Sequence, residues 1–219
     1  MAHPIYPNKN GVVVPSVTRV IRGNLGWSTE PLLNWYYSSF KRGVDPIQVR
    51  DKAGYFGTLL HAMLERGRKN PKLDADVKAH VTEADRQEAF RIMGKYKEWT
   101  KLKNLEVVGH EMSLVSEEYQ FGGTIDLLAH IQGEDDKITL IDFKTSKSVK
   151  VEHFIQMAAY GQLVKEHFSF VPSRYLLLHM PRGCKYPTAY TRDTLAAEWG
   201  VFKHLLDLER AKETLSWQT

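Results

Sequence analysis

The stretch FGGTIDLLAHIQGEDDKITLIDFK, residues 121–144, decides how this chain folds. Phe121 to Ile131 and Lys137 to Lys144 both have the apolar, β-branched content of strands, and GEDD at Gly133 to Asp136 reads as the turn between them. At a period of two, Ile125, Leu127, Ala129 and Ile131 fall on one face of the first strand, with Thr124 and Asp126 on the other. In the second strand Ile141 and Phe143 share a face, while Asp142 and Lys144 stand side by side on the opposite one. Pairing through the turn therefore predicts that two carboxylates and an ammonium converge.

A desolvated cluster of that kind is costly, because like charges repel and each buried ion loses its hydration. A divalent cation removes the cost. Mg²⁺ or Mn²⁺ prefers oxygen ligands and is held by one or two carboxylates together with substrate phosphate. In such a site the cation binds the scissile phosphate and acidifies a water, and Lys144 orients that water and stabilises charge developing on phosphorus. Taken alone, Asp142 and Lys144 read by default as a surface ion pair on an edge strand.

Working outward, Glu106 to Val115 forms a third strand of the same meander. The sequence before it reads helical: about Pro31 to Lys41 with Ser28 as cap, Ala53 to Lys69, and Asp74 to Thr100, where Ile92, Tyr96 and Trp99 share a face. Val12 to Pro15 reads as extended. After the meander come a helix from Val151 to Lys165, a strand from Arg174 to Met180, a break at Pro181 to Gly183, and a short extended piece around Tyr186 to Tyr190. The last helix carries Leu195, Trp199, Phe202 and Leu206 as an apolar stripe. This order predicts an α/β fold, a mixed central β-sheet flanked by helices, with a helical N-terminal part. We read 1–219 as one domain: a mainly helical part over 1–104, a sheet core over 105–190 and a C-terminal helix over 191–219.

Composition narrows the function. Of 219 residues 42% are hydrophobic, which excludes a disordered or fibrous chain. Lys and Arg outnumber Asp and Glu by 30 to 26, for a net charge of +4 and a pI near 9.0, as suits a polyanionic partner. Cys184 is the single cysteine, so neither a disulfide framework nor a four-cysteine iron–sulfur cluster fits within the chain. The opening MAHPIYPNKN lacks the pattern of a signal peptide or mitochondrial presequence, and no apolar run is long enough to span a bilayer; the expectation is a soluble, cytoplasmic protein.

An acidic residue on one strand followed by (D/E)-x-K on the next, here GGTID and LIDFKTS, resembles the signature of PD-(D/E)XK nucleases. Upstream, GTLLHAMLE sets His61 and Glu65 one helical turn apart and resembles the histidine motif of the RecB-type exonuclease branch. Downstream, Gln156 and Tyr160 in QMAAY resemble its Q-x-x-x-Y motif, and PSVTRVI at Pro15 to Ile21 is similar to the start of mitochondrial genome maintenance exonucleases; without a recognisable presequence, the resemblance implies a relative in a bacterium or phage-infected cell rather than in the mitochondrial matrix.

The resemblance implies a DNA exonuclease acting on single-stranded ends in replication, recombination or repair. Asp126, Asp142, His61 and the Phe143 carbonyl would hold Mg²⁺ or Mn²⁺, with Lys144 activating water, Glu65 supporting the histidine, and Glu111 joining the metal shell or binding Lys144. Ser16, Thr18 and Arg19 would contact DNA; Thr145, Ser146 and Lys147 would bind phosphate oxygens beside Thr124, and Gln156 and Tyr160 would brace the active-site strands. On the residues alone, Ser16 and Thr18 read equally as helix cap and turn, and Gln156 and Tyr160 as core. Trp27, Trp35, Tyr36 and Tyr37 are either core or a stacking surface for unpaired bases, and Arg66, Arg68, Lys69 and Lys72 either a DNA contact or a solvated helix end. A structure-specific endonuclease and a non-catalytic DNA-binding module of the same fold are the competing functions.

Overall fold

The computed structural model describes residues 4–26, 29–66, 71–133 and 137–215. The expected Ser28 cap, Trp27, Arg68, Lys69 and the Glu134–Asp136 part of the turn lie outside them. The chain runs through β1 (Tyr6–Pro7), β2 (Val13–Val14), α1 (Val17–Asn24), α2 (Thr29–Lys41), α3 (Pro46–Arg66), α4 (Ala75–His80), α5 (Glu83–Leu102), β3 (Leu105–Ser116), β4 (Phe121–Ile131), β5 (Ile138–Lys144), α6 (Val151–Phe168), β6 (Arg174–His179), β7 (Thr188–Arg192) and α7 (Ala196–Thr214). No helix among the described residues is long and apolar enough to cross a membrane.

A five-stranded sheet in the order β3-β4-β5-β6-β7 carries the site. The β3, β4 and β5 strands form the expected antiparallel meander, β5 pairs with β6 in parallel through the α6 crossover, and β6 pairs with β7 antiparallel. This is the mixed sheet expected for an α/β chain in which helices cover both faces. On one face, Val20 of α1, Ile155 and Leu163 of α6 and Phe202 and Leu206 of α7 pack against Phe121, Ile125, Leu128 and Leu140. On the other, Phe56, Leu60 and Met63 of α3 and Ile92 of α5 pack against Leu127, Ala129, Ile141 and Phe143.

Several boundaries differ from the sequence reading. The helix expected over Asp74 to Thr100 is two, because Thr82 interrupts it with a capping box: its Oγ1 accepts from the Asp85 N–H at 3.1 Å and the Asp85 carboxylate accepts from the Thr82 N–H at 2.9 Å. Helix α3 starts at Pro46, well before Ala53, with Asp45 Oδ1 accepting from the Ile47 N–H at 2.8 Å. PSVTRVI is a helix entry: Ser16 caps α1 through Oγ, which accepts from the Arg19 N–H at 3.1 Å, and Thr18 lies within the helix. The last strand is Thr188–Arg192 rather than Tyr186 to Tyr190.

The largest departure is in β4. Its alternation slips by one at Asp126: Ile125 belongs to the α1, α6 and α7 face, whereas Leu127, Ala129 and Ile131 belong to the α3 and α5 face. The four residues expected on one face are therefore split between two. Opposite the slip, between the pairs His110↔Leu127 and Met112↔Ile125, Glu111 adopts a left-handed φ of 47°. A second irregularity lies nearby, where the register shifts between Val107 and Gly109.

Candidate active site

The slip in β4 is where the strands open. Pairing of β4 with β5 runs from His130↔Ile138 to Leu127↔Ile141. Beyond it, the Phe143 N–H is accepted by the Asp126 side chain, with Oδ2 at 2.7 Å. A carboxylate thus takes the place of a strand and satisfies a buried backbone donor where β4 and β5 part.

Three side chains meet at this parting of the strands. The ligand atoms of His61 on α3, Glu111 on β3 and Asp126 on β4 lie within 4.8 Å of one another, and His61 Nδ1 is 3.6 Å from Asp126 Oδ1. The α3 face that buries Phe56, Leu60 and Met63 against the sheet brings His61 there. Glu111 reaches it through a backbone conformation that costs a non-glycine residue about 1 kcal/mol. Asp142 is 2% exposed and lies outside this set; its Oδ2 is 2.6 Å from the Lys144 ammonium and finds no well-directed hydrogen bond among the described residues. Of the four ligands expected from sequence, His61 and Asp126 stand in this trio together with Glu111; Asp142 lies beside Lys144 outside it, and the Phe143 N–H donates to Asp126.

The electrostatics follow from this crowding. Burial pushes the Asp126 carboxyl up, but the His61 and Lys144 charges and the Phe143 N–H outweigh it, and Asp126 stays below its ordinary value. Burial lowers His61, yet Asp126 more than compensates, so the imidazole is raised. Asp142 is pushed up to about 6 by burial despite Lys144, and Glu111 to about 7 by burial and then by Asp126. Carboxyls that resist ionising together, one with a buried oxygen lacking a well-directed donor, fit a divalent cation.

The paired glycines of GGTID have a steric reason. A Cβ on Gly122 would stand 2.3 Å from the Tyr6 ring, and one on Gly123 would stand 2.7 Å from the Tyr160 ring. The Tyr160 hydroxyl accepts from Gln156 Nε2 at 2.6 Å, so the Gln156–Tyr160 pair braces the strand that carries Asp126. On the β1 side, Tyr6 and Thr124 hydroxyls lie 3.0 Å apart, and Thr124 and Ser113 2.9 Å apart. Tyr6 had no signal in the sequence.

Other expected site residues are placed variously. Glu65 is close enough to Glu111 to help raise it. Arg19 and Asn24 both donate to the buried Glu209 on α7, at 2.8 and 2.7 Å, which ties α1 to α7. Thr145 is half-buried, and Ser146 and Lys147 are exposed just past Lys144. Trp35 and Tyr36 are half-buried on α2, in edge contact with each other, and Tyr37 is exposed.

A family model described as the PD-(D/E)XK nuclease superfamily matches residues 32–214. No curated protein matches. Among solved structures, a candidate exonuclease of Eubacterium rectale is similar at 13% identity with a TM-score of 0.45, over 74% of this chain and 65% of that one, just under two thirds of its length. The alkaline exonuclease of Laribacter hongkongensis is similar at 13% identity with a TM-score of 0.37, over 74% of this chain and 99% of that one. The same enzyme in complex with dAMP gives 0.36 over 75% and 91%. The family match takes in the His61 helix, both acidic strands and the Gln156–Tyr160 helix, and by it this chain belongs to the PD-(D/E)XK nuclease superfamily.

Proposed function

We propose that this chain, read as one domain, is a divalent-metal-dependent deoxyribonuclease that hydrolyses DNA from its ends and prefers single strands. The observation that carries the reading is the trio His61, Glu111 and Asp126 next to the pair of buried Asp142 and half-buried Lys144, where β4 and β5 part. The end and strand preferences rest on the RecB-type motifs of the sequence. His61, Glu111 and Asp126 would hold the cation, with Asp142 bordering it, and Mg²⁺ or Mn²⁺ suits the oxygen-rich set. When bound, the cation supplies Lewis acidity toward the scissile phosphate.

The chain's own groups do the rest. Lys144, held 2.6 Å from Asp142, offers an ammonium to the attacking water and to the phosphoryl oxygens, where negative charge grows as the P–O bond breaks. Asp126 is fixed by the Phe143 N–H, so its second oxygen is preset toward His61. The Gln156–Tyr160 brace and the Gly123 contact keep β4 from shifting under the load of substrate.

The test is degradation of single-stranded DNA labelled separately at each end, with Mg²⁺ or Mn²⁺, beside a closed circular strand and an Asp142→Ala control. Metal-dependent loss of the linear strand alone is expected. Cutting of the circle would make it an endonuclease, and binding of DNA without turnover would make it a non-catalytic module.

A further inference from the structure

The chain leaves β5 at Lys144 and does not re-enter a helix until Val151. The parallel ladder with β6 ends with the Met180 N–H donating to the Lys144 carbonyl at 2.7 Å. An uninterrupted ladder would next supply the Arg182 N–H to the Ser146 carbonyl. The chain turns away at Pro181, and a side chain stands in: His179, 8% exposed, donates from Nε2 to the Ser146 carbonyl at 2.6 Å. Its ring is in edge contact with Tyr190 of β7.

Two further contacts define the turn. Ser146 Oγ donates to the Ser148 carbonyl at 2.9 Å. The Thr145 hydroxyl lies where a Cβ on Gly57 would stand 3.1 Å away, and Gly57 is one helical turn before His61 on α3. Thr145 and Ser146 are therefore held between α3 and β6, directly after Lys144, with the exposed Lys147 next in the chain. Beside the turn, His153 Nδ1 accepts from the Lys150 N–H at 3.2 Å, and burial, then the Lys144 and Lys150 charges, push the imidazole down to about 3.

We infer that His179 is a positioning residue of the proposed nuclease: by holding the Ser146 carbonyl it presets Thr145, Ser146 and Lys147 to receive the DNA phosphate adjoining the scissile one. This rests on the nuclease reading. Lys144 is anchored separately by Met180, so losing the His179 hydrogen bond leaves the reacting ammonium in place and loosens the substrate's neighbouring phosphate. The consequence is weaker ground-state and transition-state binding alike, which appears in KM rather than kcat.

The experiment compares His179→Ala and His179→Gln with the native chain; the glutamine amide carries a donor at the same reach. Steady-state hydrolysis of a single-stranded oligonucleotide gives KM and kcat, and anisotropy of labelled oligothymidylate in EDTA gives Kd. For His179→Ala, KM and Kd are expected to rise about five- to tenfold with kcat within about threefold, as for the loss of one well-made hydrogen bond, and His179→Gln is expected to restore both. Thermal unfolding identifies a variant that has simply lost its fold, and in that case Gly57→Ala, which crowds Thr145 from α3, is used with the same expectation. Unchanged KM and Kd, an alanine variant no worse than the glutamine variant, or a loss confined to kcat would overturn the inference. If the native chain shows no turnover the nuclease reading fails, and the Kd arm still decides the role of His179.

Discussion

Replacing Gly123 with alanine tests whether the GGTID and Q-x-x-x-Y segments act as one mechanical unit. The added methyl would stand 2.7 Å from the Tyr160 ring, about 0.7 Å short of an ordinary 3.4 Å contact, and 3.2 Å from Val17 Cγ2. Tyr160 is 5% exposed and tied to Gln156, so its ring has no free direction in which to retreat, and Val17 is buried in the same core. Overpacking of this kind costs about 1–3 kcal/mol, which for a chain of this size lowers Tm by roughly 3–10 °C. Urea and thermal unfolding of the native chain, Gly123→Ala, Tyr160→Leu and the double variant form a cycle. Shrinking the ring is expected to remove most of the alanine penalty, leaving less than about 1 kcal/mol of it in the Tyr160→Leu background. An alanine variant as stable as the native chain, or penalties that simply add, would show that the glycine is not there to admit the tyrosine.

Lys144→Ala is expected to lower the rate of DNA hydrolysis by about 10²–10³ while leaving oligonucleotide Kd within a fewfold, read by single-turnover kinetics beside anisotropy. Mn²⁺ is expected to raise the Tm of the native chain in a concentration-dependent way and to have no effect on His61→Ala or Glu111→Gln, checked by differential scanning fluorimetry. Asp85 and Glu209 are held low against burial, the first by the Thr82 N–H and Arg182, the second by Asn24 and Arg19, and Glu88 is held low mainly by Arg91. Carboxyls depressed in the folded state bind protons more readily when unfolded, so their support is complete above about pH 5 and is lost as pH falls through about 4 and below; the urea midpoint should drop over that window, and less steeply in Asp85→Asn. Glu209→Ala leaves Asn24 and Arg19 without that acceptor on α7 and should cost about 2–4 kcal/mol in urea unfolding, with Glu209→Gln costing less.

Strand pairing made much of this legible in advance. The meander, its nearly correct ends and the Asp142–Lys144 pair follow from a period of two read over a short stretch, because adjacent antiparallel strands depend on local sequence alone. The meeting of His61 with Asp126 was legible only through a motif, since nothing local joins residue 61 to residue 126. Glu111 was named, but its place in the trio requires a left-handed backbone that side-chain periodicity does not encode. For the same reason alternation alone puts Ile125 on the face of Leu127, whereas the slip at Asp126 turns it to the opposite one. The break at Thr82 was in the sequence as Thr-x-x-Asp before an apolar run and was overridden by the periodicity on either side. His179 had a weaker signal, a polar residue closing the apolar run Tyr175 to Leu178, whose meaning depends on the turn at Pro181.

The backbone at Glu111 carries a further consequence for the history of such chains. Glycine or asparagine accepts a φ of 47° far more readily than glutamate, so either substitution would relieve local strain of about 1 kcal/mol and discard a candidate ligand at the same time. Stability and chemistry pull in opposite directions at this one position. In a lineage released from the proposed nuclease role, drift should reach this position early, before the buried Asp142 and its partner Lys144, whose separation would strand a charge. A relative with glycine at the place of Glu111 and an intact D-x-K strand would then be a scaffold that has already begun to lose its catalytic role.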